Sequence, residues 1–314
     1  MVFPIAGIEV SPWLPLIVAF SVSFFTSMGG VSGAFLLLPF QMSFLGYTAP
    51  SVSATNQLFN IVAIPSGVYR YWKEGRMVWP LTWAVVVGTL PGVFIGAILR
   101  IVYLPDPSHF KLFAALVLLY IGVRMLLGLI QQSQRKANEK SDRECLKQIK
   151  DNVCGKSLQC TDAYGVEIVH VSMNRLSYTF QREHYDVSLV GIVGVSFIVG
   201  IAGGIYGIGG GSIMAPFFVA FFGLPVYTIA GAALMGTFMT SVAGVVFYQA
   251  IAPFYPEISV APDWLLGVLF GIGGMAGMYL GARCQKFMPA GIIKWMLTMI
   301  IMFTAIKYIV DFFN

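Results

Sequence analysis

Between Gly203 and Pro216 the chain reads GGIYGIGGGSIMAP, six glycines in fourteen residues. Apolar runs flank it on both sides, residues 187–202 and 217–223, so the cluster falls where a continuous transmembrane helix would otherwise be drawn. Each glycine in a helix interior costs roughly 1 kcal/mol against alanine. Unwound backbone at membrane depth is tolerated only where protein or an aqueous cavity satisfies its polar groups. The N–H groups that open the following helix suit an anion. Gly29, Gly30, Ser32 and Gly33, ahead of Pro39, make a second and less regular copy of the pattern. The pair reads as two half-helix N-termini sharing one anion: Gly207, Gly209, Gly210, Gly211 and Ser212 donate from one side, and Gly29, Gly30, Ser32 and Gly33 from the other. Close helix packing through small residues is the competing explanation.

Polar residues follow each cluster: Ser53, Thr55, Asn56, Gln57 and Asn60 after the first, Thr237, Thr240 and Ser241 after the second. A spacing of three to four places Asn56 with Asn60, and Thr237 with Ser241, on one helix face. Thr55, Asn56 and Thr237 are therefore candidate contacts, with interhelical hydrogen bonding as the alternative. Tyr206, just ahead of the second break, is a candidate gate or donor. No Asp or Glu lies inside any expected span. Cation carriers and proton relays usually need one, and a transition metal would want His, Cys or carboxylate ligands, so the solute is expected to be an anion or neutral, with no cofactor or metal. The series Gly88, Gly92, Gly96 and Gly273, Gly277, Gly281 reads as two packing seams. Cys145, Cys154 and Cys160 have neither CxxC nor zinc-knuckle spacing, and no phosphate-binding glycine motif is present.

These residues need a membrane scaffold to hold them. The 314-residue chain is 57% hydrophobic and 11% charged, with a mean hydropathy of +0.79, the profile of an integral membrane protein. Its net charge of +5 is no nucleic-acid footprint, because ten of nineteen Lys/Arg lie outside residues 131–188, at the ends of apolar runs. The first apolar run lacks the basic flank and cleavage site of a secretory signal and reads as a retained helix. Expected spans lie near 12–28, 33–46, 51–69, 78–99 and 110–130, then near 187–202, 212–223, 226–248, 264–283 and 291–310.

The two sets correspond. A shift of 177 superposes Gly30, Gly33, Pro39 and Gly67 on Gly207, Gly210, Pro216 and Gly244, and a shift of 185 superposes the two GxxxGxxxG series. Arg70, Lys73 and Arg76 mark a cytoplasmic loop in the first copy; the matching loop of the second, residues 251–263, carries only Glu257 and Asp263. Arg100, Asp106 and Lys111 read as a balanced external loop. Equivalent loops on opposite sides mean inverted repeats. The expected architecture is all-α: repeats at 1–130 and 188–314 of about four spans each, each opening with a glycine-broken re-entrant hairpin. A small α+β cytoplasmic linker at 131–187 joins them, built from a charged helix (132–151) and a β-hairpin (166–185), and both termini are external.

The second copy, GIYGIGGGSIMAP with GLPVYTIAGAALMGT, resembles the second repeat of the TauE/SafE family of sulfite exporters and related sulfonate and thiosulfate permeases. SMGGVSGAFLLLP, with SATN and YWKEGR, resembles its first. The resemblance covers nearly the whole chain except the linker. It implies a bacterial inner-membrane secondary carrier of small sulfur-containing anions, with Gly29, Gly30, Gly33, Pro39, Thr55, Asn56, Gly207, Gly209, Gly210, Gly211 and Pro216 in the family's motif positions. Ser32 and Ala34 depart from it. An anion-binding sensor signalling through the linker, and an integral-membrane enzyme, are the alternatives. The expected partners are a small anion and the lipid bilayer, and oligomerisation stays open.

Overall fold

A computed structural model describes residues 1–28, 32–73, 77–150, 166–172, 174–180, 183–224, 226–284 and 290–313. A short hairpin, β1 (Val2–Phe3) with β2 (Ile8–Glu9), leads into α1 (Trp13–Met28) and α2 (Ala34–Ser43). Next come α3 (Ser51–Ala63), α4 (Pro65–Lys73), α5 (Trp79–Val102) and α6 (Pro107–Lys150). After strands β3 (Val166–Val171), β4 (Arg175–Phe180) and β5 (Glu183–Ser188), the chain continues as α7 (Leu189–Tyr206), a 3-10 turn (Gly210–Ile213), α8 (Met214–Phe222) and α9 (Val226–Ile251). It finishes with α10 (Trp264–Cys284) and α11 (Ala290–Phe313).

Among the described residues five helices are long and apolar enough to cross a membrane: α5, the Pro107–Ile130 part of α6, α7, α9 nearly throughout, and α10. The protein is thus a multi-pass helical membrane protein. Shorter apolar stretches in α1, α2 and α11 complete the bundle. The ten residues of α2 cover about 15 Å, half of a hydrocarbon core.

Two helix pairs pack most closely in the bundle. Gly88, Gly92 and Gly96 on α5 leave room for the backbone of α7, facing Val193, Phe197 and Ile201. Gly273, Gly277 and Gly281 on α10 do the same for α1, facing Leu16, Phe20 and Phe24. The carbonyls met by the second set of contacts lie 177 positions before those met by the first, and the glycines differ by 185, the two offsets that align the halves of the sequence.

At one end of the bundle, Ser51 Oγ and Ser259 Oγ lie 3.0 Å apart, Ser259 Oγ donates to Ile5 O (2.9 Å), and Asp263 accepts from Ala6 N–H and Leu266 N–H, the latter opening α10. At the other end sits the three-stranded antiparallel sheet β3–β4–β5, with Tyr178 OH 2.9 Å from Thr228 Oγ1. Burial pushes the Tyr178 phenol up to about 12. Ser188 Oγ accepts from Gly191 N–H and caps α7.

Several sequence expectations change. The segment expected at 51–69 is two helices, because Pro65 interrupts the ladder after Ala63. The charged helix expected at 132–151 is the continuation of α6, not a separate element. The β-hairpin at 166–185 gains a third strand, since Glu183–Ser188 pairs with β4. Arg100, expected in a loop, lies inside α5 and is fully buried.

Candidate functional site

The second break forms where α7 stops at Tyr206. Gly207 turns left-handed (φ +79°), its N–H donates to Gly203 O (2.9 Å), and Ile208 N–H reaches the same carbonyl at 3.2 Å. Gly209 adopts φ +72°, ψ 147°, a conformation open to glycine almost alone. The chain folds back so tightly that a Cβ on Gly203 would sit 2.8 Å from Gly209 O. A Cβ on Gly207 would stand 2.5 Å from Ser53 Cα, and one on Gly209 would stand 2.8 Å from Thr237 Cγ2. Gly210 is pressed on Thr89 of α5, and Gly211 on Ala233 O and Thr237 Oγ1 of α9. Three helices therefore wall the break, and each glycine is where a wall comes closest.

Helix α3 braces it. Ser53, Asn56, Gln57 and Asn60 share one face at helical spacing, and all are fully buried. Ser53 Oγ donates to Ile205 O (3.1 Å), Asn56 Nδ2 to Gly207 O (3.1 Å), and Asn60 Nδ2 to Ile208 O (3.0 Å). Asn56 Nδ2 also donates to Ala34 O (3.1 Å), at the start of α2. Its Oδ1 accepts from Gln41 Nε2 at 3.5 Å. Tyr206 OH donates to Phe35 O (3.0 Å), a second tie from the end of α7 to α2.

The first break keeps a similar economy on its described side. Ser32 Oγ donates to Asn60 Oδ1 (3.3 Å) and accepts from Ala34 N–H (3.4 Å). Gly33 O accepts from Leu36 N–H and Leu37 N–H, and Gly33 itself lies against Ser23 and Thr26 of α1. Gly29 and Gly30 lie outside the described residues, as does the Ser212 side chain, although its backbone belongs to the 3-10 turn.

Carbonyls on both sides are thus consumed by α3 side chains. The N–H groups of Gly210 and Gly211 open a helical turn and have no acceptor within it. Positive potential at such a helix start comes from the aligned peptide dipoles. No carboxylate opposes it: Asp263 is the buried acidic residue among those described, and it is occupied at the start of α10. No group of three or more His, Cys, Asp or Glu is placed to hold a metal among the described residues.

Of the residues singled out in the sequence, Ser32, Asn56, Tyr206, Gly207, Gly209, Gly210, Gly211 and Thr237 come together here. Thr55 does not: its hydroxyl lies 3.0 Å from Tyr47 OH and accepts from Asp263 N–H, on another face of α3. Gln41 and Thr89 join the site without having been singled out. Gln41 lies eight residues after Gly33 on the short α2, a buried amide in a helix whose other polar residue is the terminal Ser43, and that isolation was the available signal. A cavity of about 320 Å³ lies elsewhere, between α1, α2 and α11, with a largely apolar lining that includes Phe25, Phe40 and Phe303. Lys307, Ser43 and Tyr308 also line it.

Comparison with known proteins gives one match. A family model described as "Sulfite exporter TauE/SafE" covers residues 15–308. No curated protein matches the chain. No solved structure does either.

Proposed function

The chain belongs to the sulfite exporter TauE/SafE family, and we propose that it is a secondary carrier moving a small sulfur-containing anion, such as sulfite, thiosulfate or an organosulfonate, by alternating access around the two breaks. The observation that carries this reading is the pairing of buried carbonyls at Ala34, Gly207 and Ile208 with the amides of Asn56 and Asn60. With those acceptors occupied, the N–H groups of Gly210 and Gly211 that open the 3-10 turn are groups left for a ligand, and they favour negative charge; Gly29 and Gly30, the proposed counterparts in the first break, lie outside the described residues. Asn56 ties the two breaks together, and Thr237 walls the second of them.

The mechanism draws on the inverted-repeat reading. Support comes from the paired seams, α5 with α7 and α10 with α1, whose contacts obey the sequence offsets. Gly191 near the start of α7 lies against Phe222 at the end of α8, in keeping with a re-entrant hairpin. In this account each hairpin rides on its partner helix, α3 and α9 cross between them, and a small rocking of one half exposes the breaks to either side. The linker at 131–187 faces the cytoplasm, both termini are external, and the membrane is the bacterial inner membrane.

Purified protein in proteoliposomes tests this directly. Saturable flux of at least one of sulfite, thiosulfate or an organosulfonate is expected. Tight binding of such an anion with no flux would replace the carrier with a sensor.

A further inference from the structure

Four buried polar atoms on α3, α9 and α5 have no hydrogen-bond partner, Gln57 Nε2 and Oε1, Ser241 Oγ and Arg100 Nε, and the buried Tyr248 hydroxyl beside them faces Ser53. All four residues are fully buried. An orphaned buried polar group is costly, and native proteins rarely keep one without a use. Here they form a connected file. Ser241 Oγ lies beside Gly209, since a Cβ on that glycine would come within 3.1 Å of it. Gly244, one turn further along α9, is pressed on the Gln57 amide. Tyr248, another turn on, packs with Ala54 of α3 and with Ala97 and Ile101 of α5, the residues on either side of Arg100.

Gln57 is the most telling member. The offset of 177 that aligns the two halves maps Gln57 on Leu234 and Gly67 on Gly244. The contacts follow: Leu234 Cδ1 lies 3.5 Å from where a Cβ on Gly67 would be, just as Gln57 meets Gly244. The same packing niche is filled by leucine in one half and by an amide with both ends unsatisfied in the other. Packing alone is therefore met by leucine, and the amide answers another demand.

Arg100 completes the file with charge. Its guanidinium donates to Thr48 O (3.1 Å) and to Leu104 O and lies 3.7 Å from the centre of the Phe110 ring, but no carboxylate pairs with it among the described residues. A buried cation without a counter-ion is strongly disfavoured, and an anion arriving at Nε would supply one.

We propose that this file is a leg of the anion's route, leading from the second break past Ser241, Gln57 and Tyr248 to Arg100 at the end of the bundle that carries residues 44–50 and 252–263. Gln57 Nε2 donates to the passing oxyanion, Gln57 Oε1 accepts from water that accompanies it, and Arg100 draws the charge in. This rests on the anion-carrier reading above. In the present structure the file is closed, because Gln57 packs directly on Gly244.

The test compares wild type with Gln57→Leu and Tyr248→Phe in proteoliposomes, using sulfite, thiosulfate and methanesulfonate, alongside thermal unfolding with and without each anion. Gln57→Leu is expected to fold and to be more stable than wild type, because it installs the residue of the equivalent niche. Its KM is expected to rise roughly tenfold or more, as for a lost hydrogen bond to a charged group, with its anion-induced stabilisation reduced to match. Tyr248→Phe is expected to show a smaller rise in KM and an unchanged fold. Wild-type-like KM and anion stabilisation in both variants, while wild type carries an anion, would overturn the route alone. Absence of flux for all three anions in wild type would overturn the carrier reading and the route with it.

Discussion

Asn56 Nδ2 donates to Gly207 O at 3.1 Å and to Ala34 O at the same distance, so one side-chain amide spans the two interrupted helices. Both hydrogens of the amide are used, and Oδ1 faces Gln41 Nε2. Asn56 therefore acts as a strut that holds the breaks in register. Asn56→Ala would take the side-chain donor from Gly207 O and the extra bond from Ala34 O, and is expected to lower stability by about 1–3 kcal/mol. Asn56→Asp, which cannot donate and sets negative charge against two carbonyl oxygens, should do more damage. Thermal unfolding in detergent, followed beside transport, checks the order wild type, alanine, aspartate.

Gly207 and Gly46 both have positive φ, +79° and +70°, but only Gly207 is hemmed in by another helix. Gly46→Ala is expected to cost about 1–2 kcal/mol, the left-handed penalty alone. Gly207→Ala adds a clash with the Ser53 backbone and should cost at least about 3 kcal/mol. Equal losses in the two variants would show that the break is not packed on α3 as described.

The two glycine seams should respond alike. Gly92 faces Phe197 O and Gly277 faces Phe20 O, each too closely for a side chain. Valine at either position is expected to separate the helix pair and to cost monodispersity in size-exclusion chromatography to a similar degree. A marked asymmetry would count against equivalent halves.

The glycine seams and the second break were legible in the sequence because glycine leaves a mark that apolar residues do not: few other residues permit backbone-to-backbone contact, so its spacing records helix contacts. Offsets of 177 and 185 accordingly reappear as contacts between named residues. Arg100 was misread because a basic residue followed by only Ile101, Val102, Tyr103 and Leu104 before Pro105 looks like the end of a span; the helix continues to Val102, and carbonyls at Thr48 and Leu104 with the Phe110 ring make room for the guanidinium. Asn56 and Asn60 were visible as a polar face, but nothing local reveals that their acceptors lie 151 and 148 residues away. Thr55 sits in the same polar run, yet helical rotation turns it toward Tyr47 and Asp263.

Ser32 stands 177 positions before Gly209 and donates to Asn60 Oδ1, a bond that glycine cannot make. Ser32→Gly would free that carbonyl oxygen and give the first break the bare backbone of the second. The protein is expected to fold, and its relative rates for sulfite, thiosulfate and methanesulfonate are expected to shift. An unchanged rate order would remove Ser32 from substrate selection.

The central claim is that the paired breaks carry a small sulfur-containing anion across the membrane. Wild-type protein and a Gly210→Ala variant, matched for folded amount by thermal unfolding, would be compared for sulfite flux into proteoliposomes. A Cβ at Gly210 would stand 2.7 Å from Thr89 Cγ2, 3.0 Å from Thr89 Cβ and 3.3 Å from Gly200 Cα, so it crowds the wall of the break. Saturable flux in wild type that falls by about tenfold or more in the folded variant is the predicted result. Equal flux in the two proteins would contradict the account.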